Sequence, residues 1–192
     1  MGPGSRLRYF SERMVSEVME AVEPTRRVGS SWRTSTRTRM AQPGDSLRLG
    51  GRQSARLPEW FTERFPARYT TRTPFDSNLP AEAGLESLPD QPDGVRVSVP
   101  ERALLELLHE VGVNQGVEET RNIMEGLRSL RPEVLALHLE HCQRVKAARL
   151  CVRWSEELNL PWAETARRAA TKHLTGGRWS ARLKSGTRLN LT

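Results

Sequence analysis

Two cysteines in 192 residues leave no room for a disulfide framework. Cys142 and Cys151, nine positions apart, fit neither a CxxC redox motif nor a paired zinc knuckle, so both read as free thiols. No apolar run approaches the ~20 residues of a membrane span. Met1 to Phe10 lacks the apolar core of a secretory signal, which places the protein in the cytoplasm with no membrane partner. Neither a Walker lysine loop nor a GxGxxG string occurs, so nothing calls for a nucleotide or any other cofactor. Lysine is nearly missing: of 30 basic residues only Lys146, Lys172 and Lys184 are lysine. The arginine codons of a GC-rich gene account for that bias without phosphate clamps.

What is present is charge, and it is segregated. Residues 1–75 hold 14 basic against 7 acidic residues, 76–140 hold 5 against 13, and 141–192 hold 11 against 3. The net +7 therefore conceals blocks of +7, −8 and +8. Such a chain presents opposed electrostatic faces, and its basic pI alone does not establish nucleic-acid binding. At this length about 70% of the unfolded surface is buried on folding, enough for a self-supporting core.

Residues 1–45 read as a loose basic segment. Met14, Val18, Met19 and Val22 suit one helix, Ser11 to Glu23, which Pro24 stops. From Thr25 to Met40, Arg, Ser and Thr fill 12 of 16 positions, too little apolar surface to offset the entropy of ordering. A basic arm for nucleic acid, a tail with no role, and residues translated out of frame from a GC-rich gene all fit this composition. Order begins near Ser46. Leu47-Arg48-Leu49 alternates as a short strand, Glu59 to Phe65 forms a short helix, and Ala67 to Thr73 reads as a β segment. Asp76 to Gly94, rich in Pro, Asp, Ser and Gly, reads mostly as loop. Val95, Val97 and Val99 alternate with polar residues as a half-buried strand.

The remainder is helical. Pro100-Glu101 opens a helix whose apolar face is Leu104, Leu105, Leu107, Leu108 and Val111. A second spans roughly Val117 to Leu130, and Pro132-Glu133 starts a third. A fourth runs from about Val145 to Leu158 with Ala147, Leu150, Cys151, Trp154 and Leu158 on one stripe, and a short fifth starts at Pro161-Trp162 and ends near Gly176-Gly177. Trp179 to Thr192 interleaves polar and apolar residues and suits a returning strand. The fold class is thus α/β in the α+β sense: a strand-rich part, 46–99, followed by a helical layer, 100–192.

Two strings imitate catalytic motifs. Gly44-Asp45-Ser46-Leu47 spells the GDSL esterase nucleophile, yet no Asp follows Asp93 and Ala170 stands where the His173 partner would be needed. Lys184-Ser185-Gly186-Thr187 matches one motif of penicillin-binding enzymes without its two companions, so it is more simply a turn. No catalytic residue is nominated. His138, His141 and Cys142 share a helix side at zinc-like spacing, and Cys151, His109 or His173 are the available fourth ligands, but flanking leucines favour packing and no metal is assigned. The basic edge Lys146, Arg149 and Arg153, continued by Arg167, Arg168 and Lys172, is the candidate contact for a phosphate backbone or an acidic protein surface. An ordinary solvated helix exterior looks the same. Trp154 and Trp162 read as core, so no base-stacking platform is present.

Ser98-Val99-Pro100-Glu101-Arg102-Ala103-Leu104-Leu105-Glu106-Leu107-Leu108, Met124-Glu125-Gly126-Leu127, Leu130-Arg131-Pro132, Cys142, Val145-Lys146, Arg149-Leu150 and Pro161-Trp162 occur in an order and spacing that resemble the AbiEi antitoxins of type IV toxin-antitoxin systems. Leu47 to Gly50 and Leu57-Pro58-Glu59-Trp60-Phe61 fit the start of that family's C-terminal domain, so the resemblance covers 46–192. It implies a non-enzymatic antitoxin of abortive infection and phage defence, with autoregulation through operator DNA. It also implies a nucleotidyltransferase-like toxin opposed without a stable complex. Family members carry a winged helix before this domain. Residues 1–45 do not resemble one, which puts direct promoter binding in question and leaves nucleic-acid binding through the basic helix edge as the alternative function.

Overall fold

The computed structural model describes residues 33–34, 47–50, 59, 63, 67–70, 72–80, 82–88, 91–175, 179–182 and 188–191. The chain divides into two compact units, residues 1–72 with 85–98, and residues 73–84 with 99–192. The predicted helix at Ser11 to Glu23 and the loose reading of 1–45 lie outside the described residues, apart from one two-residue strand. Of the helix predicted at Glu59 to Phe65, Glu59 and Glu63 are helical and the rest lies outside them.

The first unit carries a five-stranded mixed sheet. Its strands are β1 (Arg33–Thr34), β2 (Leu47–Gly50), β3 (Ala67–Thr70), β4 (Leu85–Leu88) and β5 (Gln91–Ser98), in the order β3-β2-β1-β5-β4. β1 runs antiparallel to β2 and parallel to β5, and β2 runs parallel to β3. Arg33 and Thr34 belong to the stretch whose composition argues against order; two ladder partners supply what their own side chains lack. β4 and the first half of β5 occupy the stretch read as loop. The pairing steps from Ser87↔Arg96 to Leu88↔Gln91, so Pro92, Asp93 and Gly94 fall in an irregularity where no ladder donor is required.

The second unit is the helical layer with a hairpin. It comprises α1 (Pro100–Glu110), α2 (Val117–Glu125), α3 (Pro132–Glu140), α4 (Val145–Glu157), α5 (Ala163–Ala169), α6 (Thr171–Leu174), β6 (Trp179–Arg182) and β7 (Arg188–Leu191). Strand-rich and helical parts follow one another as the α+β reading expects, and no helix among the described residues is long and apolar enough to cross a membrane. Proline at the first turn fixes the starts of α1 and α3. α2 stops at Glu125, short of the predicted Leu130, because Gly126 caps it and the chain then turns to bury Leu130. The predicted fifth helix breaks at Ala170, where the Thr171 hydroxyl bonds back to the Arg168 carbonyl at 2.7 Å and divides it into α5 and α6.

The end of α4 is a Schellman motif without glycine. Asn159 takes φ 50°, the Leu160 N–H reaches Ser155 O at 2.9 Å, and the Asn159 N–H reaches Glu156 O at 3.1 Å. Asn tolerates this left-handed backbone better than other side chains. α4 is the central element, contacting α1, α2, α5 and α6. Leu104, Leu105, Leu108, Met124, Leu135, Leu139, Leu150, Cys151 and Ala166 are fully enclosed around it. Each large aliphatic side chain buried there contributes roughly 1.5–3 kcal/mol of transfer free energy.

Trp162 joins this core at 1% exposure while its indole N–H donates to Leu127 O at 2.6 Å, which ties the turn after α2 to the start of α5. Trp162→Phe keeps most of the apolar surface and removes the donor, leaving a half-buried carbonyl without this partner. We expect it to lower unfolding free energy by about 2 kcal/mol in urea titration. An unchanged midpoint would show that the bond contributes nothing.

Residues 73–84 form a strap laid on the helices. Phe75 pairs with Cys142 in an antiparallel bridge, the Asp76 N–H donates to His141 O at 2.9 Å, and the Gln143 N–H donates to Pro74 O at 2.8 Å. Asp76 Oδ1 accepts the Asn78 and Leu79 N–H groups at 2.9 and 3.1 Å, an Asx turn that drops Leu79 into the core. At the strap's end Arg102 donates to Ala83 O, pairs with Glu106 at 3.0 Å and lies 5.1 Å over the Phe75 ring. The Val99 N–H bonds to Gly84 O at 2.9 Å.

Candidate nucleic-acid interface

The basic helix edge divides into three environments. Lys146 is half-buried at the start of α4, and its ammonium donates to Val111 O at 2.9 Å, closing the C-terminus of α1. Burial holds it below the usual lysine range despite the opposing pull of Glu110. Arg149 is the clear correction: it is only 3% exposed, and its Nε donates to His173 O at 2.8 Å. The sequence pattern treats α4 as a surface helix with a single apolar stripe. In the fold α4 is packed by α1, α2, α5 and α6, so Ala148, Arg149, Val152 and Ser155 are buried as well. Arg149 is thus an internal tie between α4 and α6 and not part of an outer edge.

Arg153, Arg167, Arg168 and Lys172 are exposed. Each has an intramolecular acceptor. Arg153 Nε donates to Glu157 Oε1 at 2.8 Å, and the other oxygen of Glu157 takes Arg121. Arg153 first, and then Arg121, hold the Glu157 carboxyl below the usual carboxylate range against its partial burial. Arg167 engages Glu156 through Nε at 2.7 Å and Nη2 at 2.6 Å, and Arg168 sits 3.6 Å from Glu164. Lys172 donates to Glu140 O at the C-terminus of α3. The fold therefore brings Arg153 together with Arg121 on Glu157, the Arg121 guanidinium lying 5.6 Å over the Trp154 ring, and holds Arg167 on Glu156. It places Lys146, Arg149 and Lys172 at the ends or in the interior of other packing contacts.

The result is a lattice of alternating charge on the outer side of α4, with carboxylates at Glu156, Glu157 and Glu164 between the arginines. Such surface pairs contribute about 0–1 kcal/mol each to stability. A phosphate backbone would have to displace them. Sequence reasoning missed Arg121, which arrives from α2. The Arg153/Glu157 and Glu164/Arg168 spacings of four residues were its available signals for neutralised charge.

The histidine and cysteine candidates have separate engagements. His138 is fully enclosed, with Nδ1 2.7 Å from Val134 O, Nε2 3.4 Å from Ala83 O, and the edge-on Phe75 ring 5.4 Å away. Burial pulls its pKa below the ordinary histidine value and favours the neutral ring. His141 Nδ1 meets Asp76 Oδ1 at 3.0 Å, and that contact lowers the Asp76 pKa. The Cys142 thiol donates to Arg144 O at 3.7 Å. Burial raises both the Cys142 and Cys151 thiols, which disfavours the thiolate that zinc needs. His173 is buried beneath α4 and its carbonyl is taken by Arg149, while His109 lies in the last turn of α1. Among the described residues no three His, Cys, Asp or Glu side chains converge as a metal site. Ser46 and Lys184 to Thr187 lie outside the described residues.

A family model described as transcriptional regulator, AbiEi antitoxin, type IV TA system matches residues 45–190. No curated protein and no solved structure matches the chain.

Proposed function

From the premise that the chain belongs to the AbiEi family of transcriptional regulators, antitoxins of type IV toxin-antitoxin systems, we propose that it acts as a non-enzymatic antitoxin in the cytoplasm. It opposes a nucleotidyltransferase-like toxin without forming a stable complex, serves abortive infection and phage defence, and regulates its own operon through operator DNA. The observation that carries this reading is the extent of the family match, from residue 45 to residue 190, which takes in four of the five strands of the first unit's sheet and the helical layer.

A second reading, nucleic-acid binding through the helix edge, is favoured by the exposure of Arg153, Arg167, Arg168 and Lys172. Their carboxylate and carbonyl partners make it the weaker of the two.

Co-expression tests the first reading. Induced alone, the neighbouring nucleotidyltransferase gene is expected to arrest growth, and induced with this chain it is expected to permit colony formation. In size-exclusion chromatography of the mixed proteins the two should elute separately. Arrest undiminished by a well-expressed chain would sink the reading, and co-elution would overturn the absence of a complex.

A further inference from the structure

His138 stands between two carbonyls, and while its ring is neutral it can serve only one of them. Nδ1 lies 2.7 Å from Val134 O on its own helix. A carbonyl only accepts, so Nδ1 carries the proton and Nε2 of the neutral ring is a bare lone pair. That lone pair faces Ala83 O, a second acceptor, 3.4 Å away at the end of the strap. The Arg102 guanidinium serves Ala83 O instead. The ring has no room to turn. It is fully enclosed, the Phe75 ring stands edge-on at 5.4 Å, and a Cβ on Gly84 would come within 2.4 Å of Nε2.

A proton taken up at Nε2 makes the ring a cation beside the Arg102 guanidinium, and both then compete for one carbonyl where water does not reach. The carboxylates nearby are engaged elsewhere or face water. On α1, Glu101 is bound by Arg131 and Glu106 by Arg102. On the strap, Asp76 pairs with His141 and Glu82 is exposed. On α5, which packs against α3, Glu164, Arg167 and Arg168 are exposed. A buried cation without a paired anion is costly, and admitting water relieves it. Val134 O is fixed within a helix. Ala83 and Gly84 end a strap, held there by Arg102 and by the Val99 N–H on Gly84 O at 2.9 Å, so the strap end is the part that yields.

We propose that His138 is a proton-operated latch on the strap: the neutral ring keeps Ala83 and Gly84 seated, and protonation at Nε2 releases that end while Phe75 and Asp76 hold the other. The lifted end uncovers Arg102, which is 2% exposed in the seated form. The latch depends neither on the antitoxin role nor on nucleic acid.

Burial lowers the ring's pKa from the ordinary 6.5; the Val134 and Ala83 carbonyls oppose this and Arg102 adds to it. In the lifted form the ring is hydrated and titrates at its ordinary value. A depressed histidine therefore favours the seated form fully above that value and progressively less as pH falls below it. The ratio of lifted to seated strap rises by up to about tenfold per pH unit until the seated ring itself titrates.

Amide hydrogen exchange of the full chain, followed by NMR from about pH 8 to about pH 5 and expressed as protection relative to the unstructured rate, tests the latch. The reporters at the strap's end are the Val99 and Ala83 N–H groups, bonded to Gly84 O and Pro80 O; at its other end the reporter is the Asp76 N–H, bonded to His141 O. Protection at Val99 and Ala83 should fall by up to about tenfold per pH unit below the ordinary histidine value, while Asp76 keeps its own. The Cε1–H resonance of His138 should titrate with a midpoint below 6.5. His138→Gln keeps a donor and does not titrate, so its protection at both end reporters should not change with pH.

Protection at Val99 and Ala83 that is flat with pH, or that falls equally in His138→Gln, overturns the latch. Loss at Asp76 in step with Val99 overturns it too, since the whole strap would then be loosening. A ring midpoint above 6.5 would mean that the cation is held between the two carbonyls, the opposite of release. If His138→Gln does not fold, the parent chain decides. Its fall in protection must begin near the ordinary histidine value and stop only where the ring's own titration is reached, and a fall outside that window overturns the latch.

Discussion

Gly84→Ala is expected to lower the unfolding free energy by about 3 kcal/mol, a loss of about 10 °C in melting temperature for a chain of this size. Two independent costs combine. Gly84 has φ +68°, where a Cβ meets backbone strain of about 1 kcal/mol or more. A Cβ built there would also stand 2.4 Å from His138 Nε2, 2.7 Å from its Cε1 and 3.1 Å from the Cβ of Arg102. His138 cannot yield easily, because its ring is held by Val134 O on one side and flanked by Phe75 on the other. A double-mutant cycle separates the costs. In a His138→Ala background the same glycine substitution should lose only the backbone part, giving a coupling of about 2 kcal/mol. Equal losses in both backgrounds would show that the steric contact is not the cause.

The second large effect is expected at Glu101. This carboxylate, 1% exposed in the first turn of α1, accepts the backbone N–H of Arg131 at 2.8 Å and its guanidinium at 3.1 and 2.9 Å. Arg131 is the N-cap residue of α3 and makes no side-chain cap hydrogen bond, so α1 supplies the anion at the start of α3. Burial opposes ionisation of Glu101, but the Arg131 donors outweigh it and hold the carboxyl below its ordinary range. Glu101→Ala should cost about 2–3 kcal/mol, a figure reduced from that of a fully buried pair because the Arg131 side chain is 47% exposed and can turn to water.

The same pair fixes the sign of a pH effect. A carboxyl with a depressed folded-state pKa adds stability that is complete above its unfolded value, near 4.5, and is lost as pH falls through the lower folded value. In Glu101→Gln the acid limb of the stability curve should therefore be shallower by one proton, about 1.4 kcal/mol per pH unit at most. Asp76 and Glu157 keep part of the limb, since both are also depressed. An acid limb identical in the parent and the variant would contradict the assignment.

How far these features could be read from sequence depends on the range of the interaction that makes them. The starts of α1 and α3 were legible because Pro100 and Pro132 act locally at a helix N-terminus. The apolar stripe of α4 was legible for the same reason. The burial of Arg149 was not, because it depends on the helices that pack around α4. The strap at 73–84 reads as loop by composition, and its order comes from partners on α3 and beyond. β4 was hidden by the turn-forming residues around it, which the irregular pairing accommodates. Of the candidate interface, the exposure of Arg153, Arg167, Arg168 and Lys172 followed from helical spacing. The four-residue rule suffices for the partners of Arg153 and Arg168, whereas the Glu156 partner of Arg167 and the carbonyl partner of Lys172 required the tertiary fold. The hairpin register that sets Arg182 opposite Arg188 is a property of pairing, and alternation within one strand does not reveal it.

The strap also orders events during synthesis. Asp76 and its partner His141 are 65 residues apart in the chain, so at roughly 5–20 residues per second the strap emerges about 3–13 s before the helix it will lie on. Over that interval Phe75 and Leu79, both destined for the core, have at most α1 and α2 of their own unit to meet, with Arg102 over the Phe75 ring, and lack the partners at the end of α3. The unit cannot close from its N-terminal end inward; it must wait for α3, and the covering of His138 by Gly84 is among its later steps. A ribosome stalled before His141 has left its exit tunnel would therefore leave the strap without its partners at the end of α3.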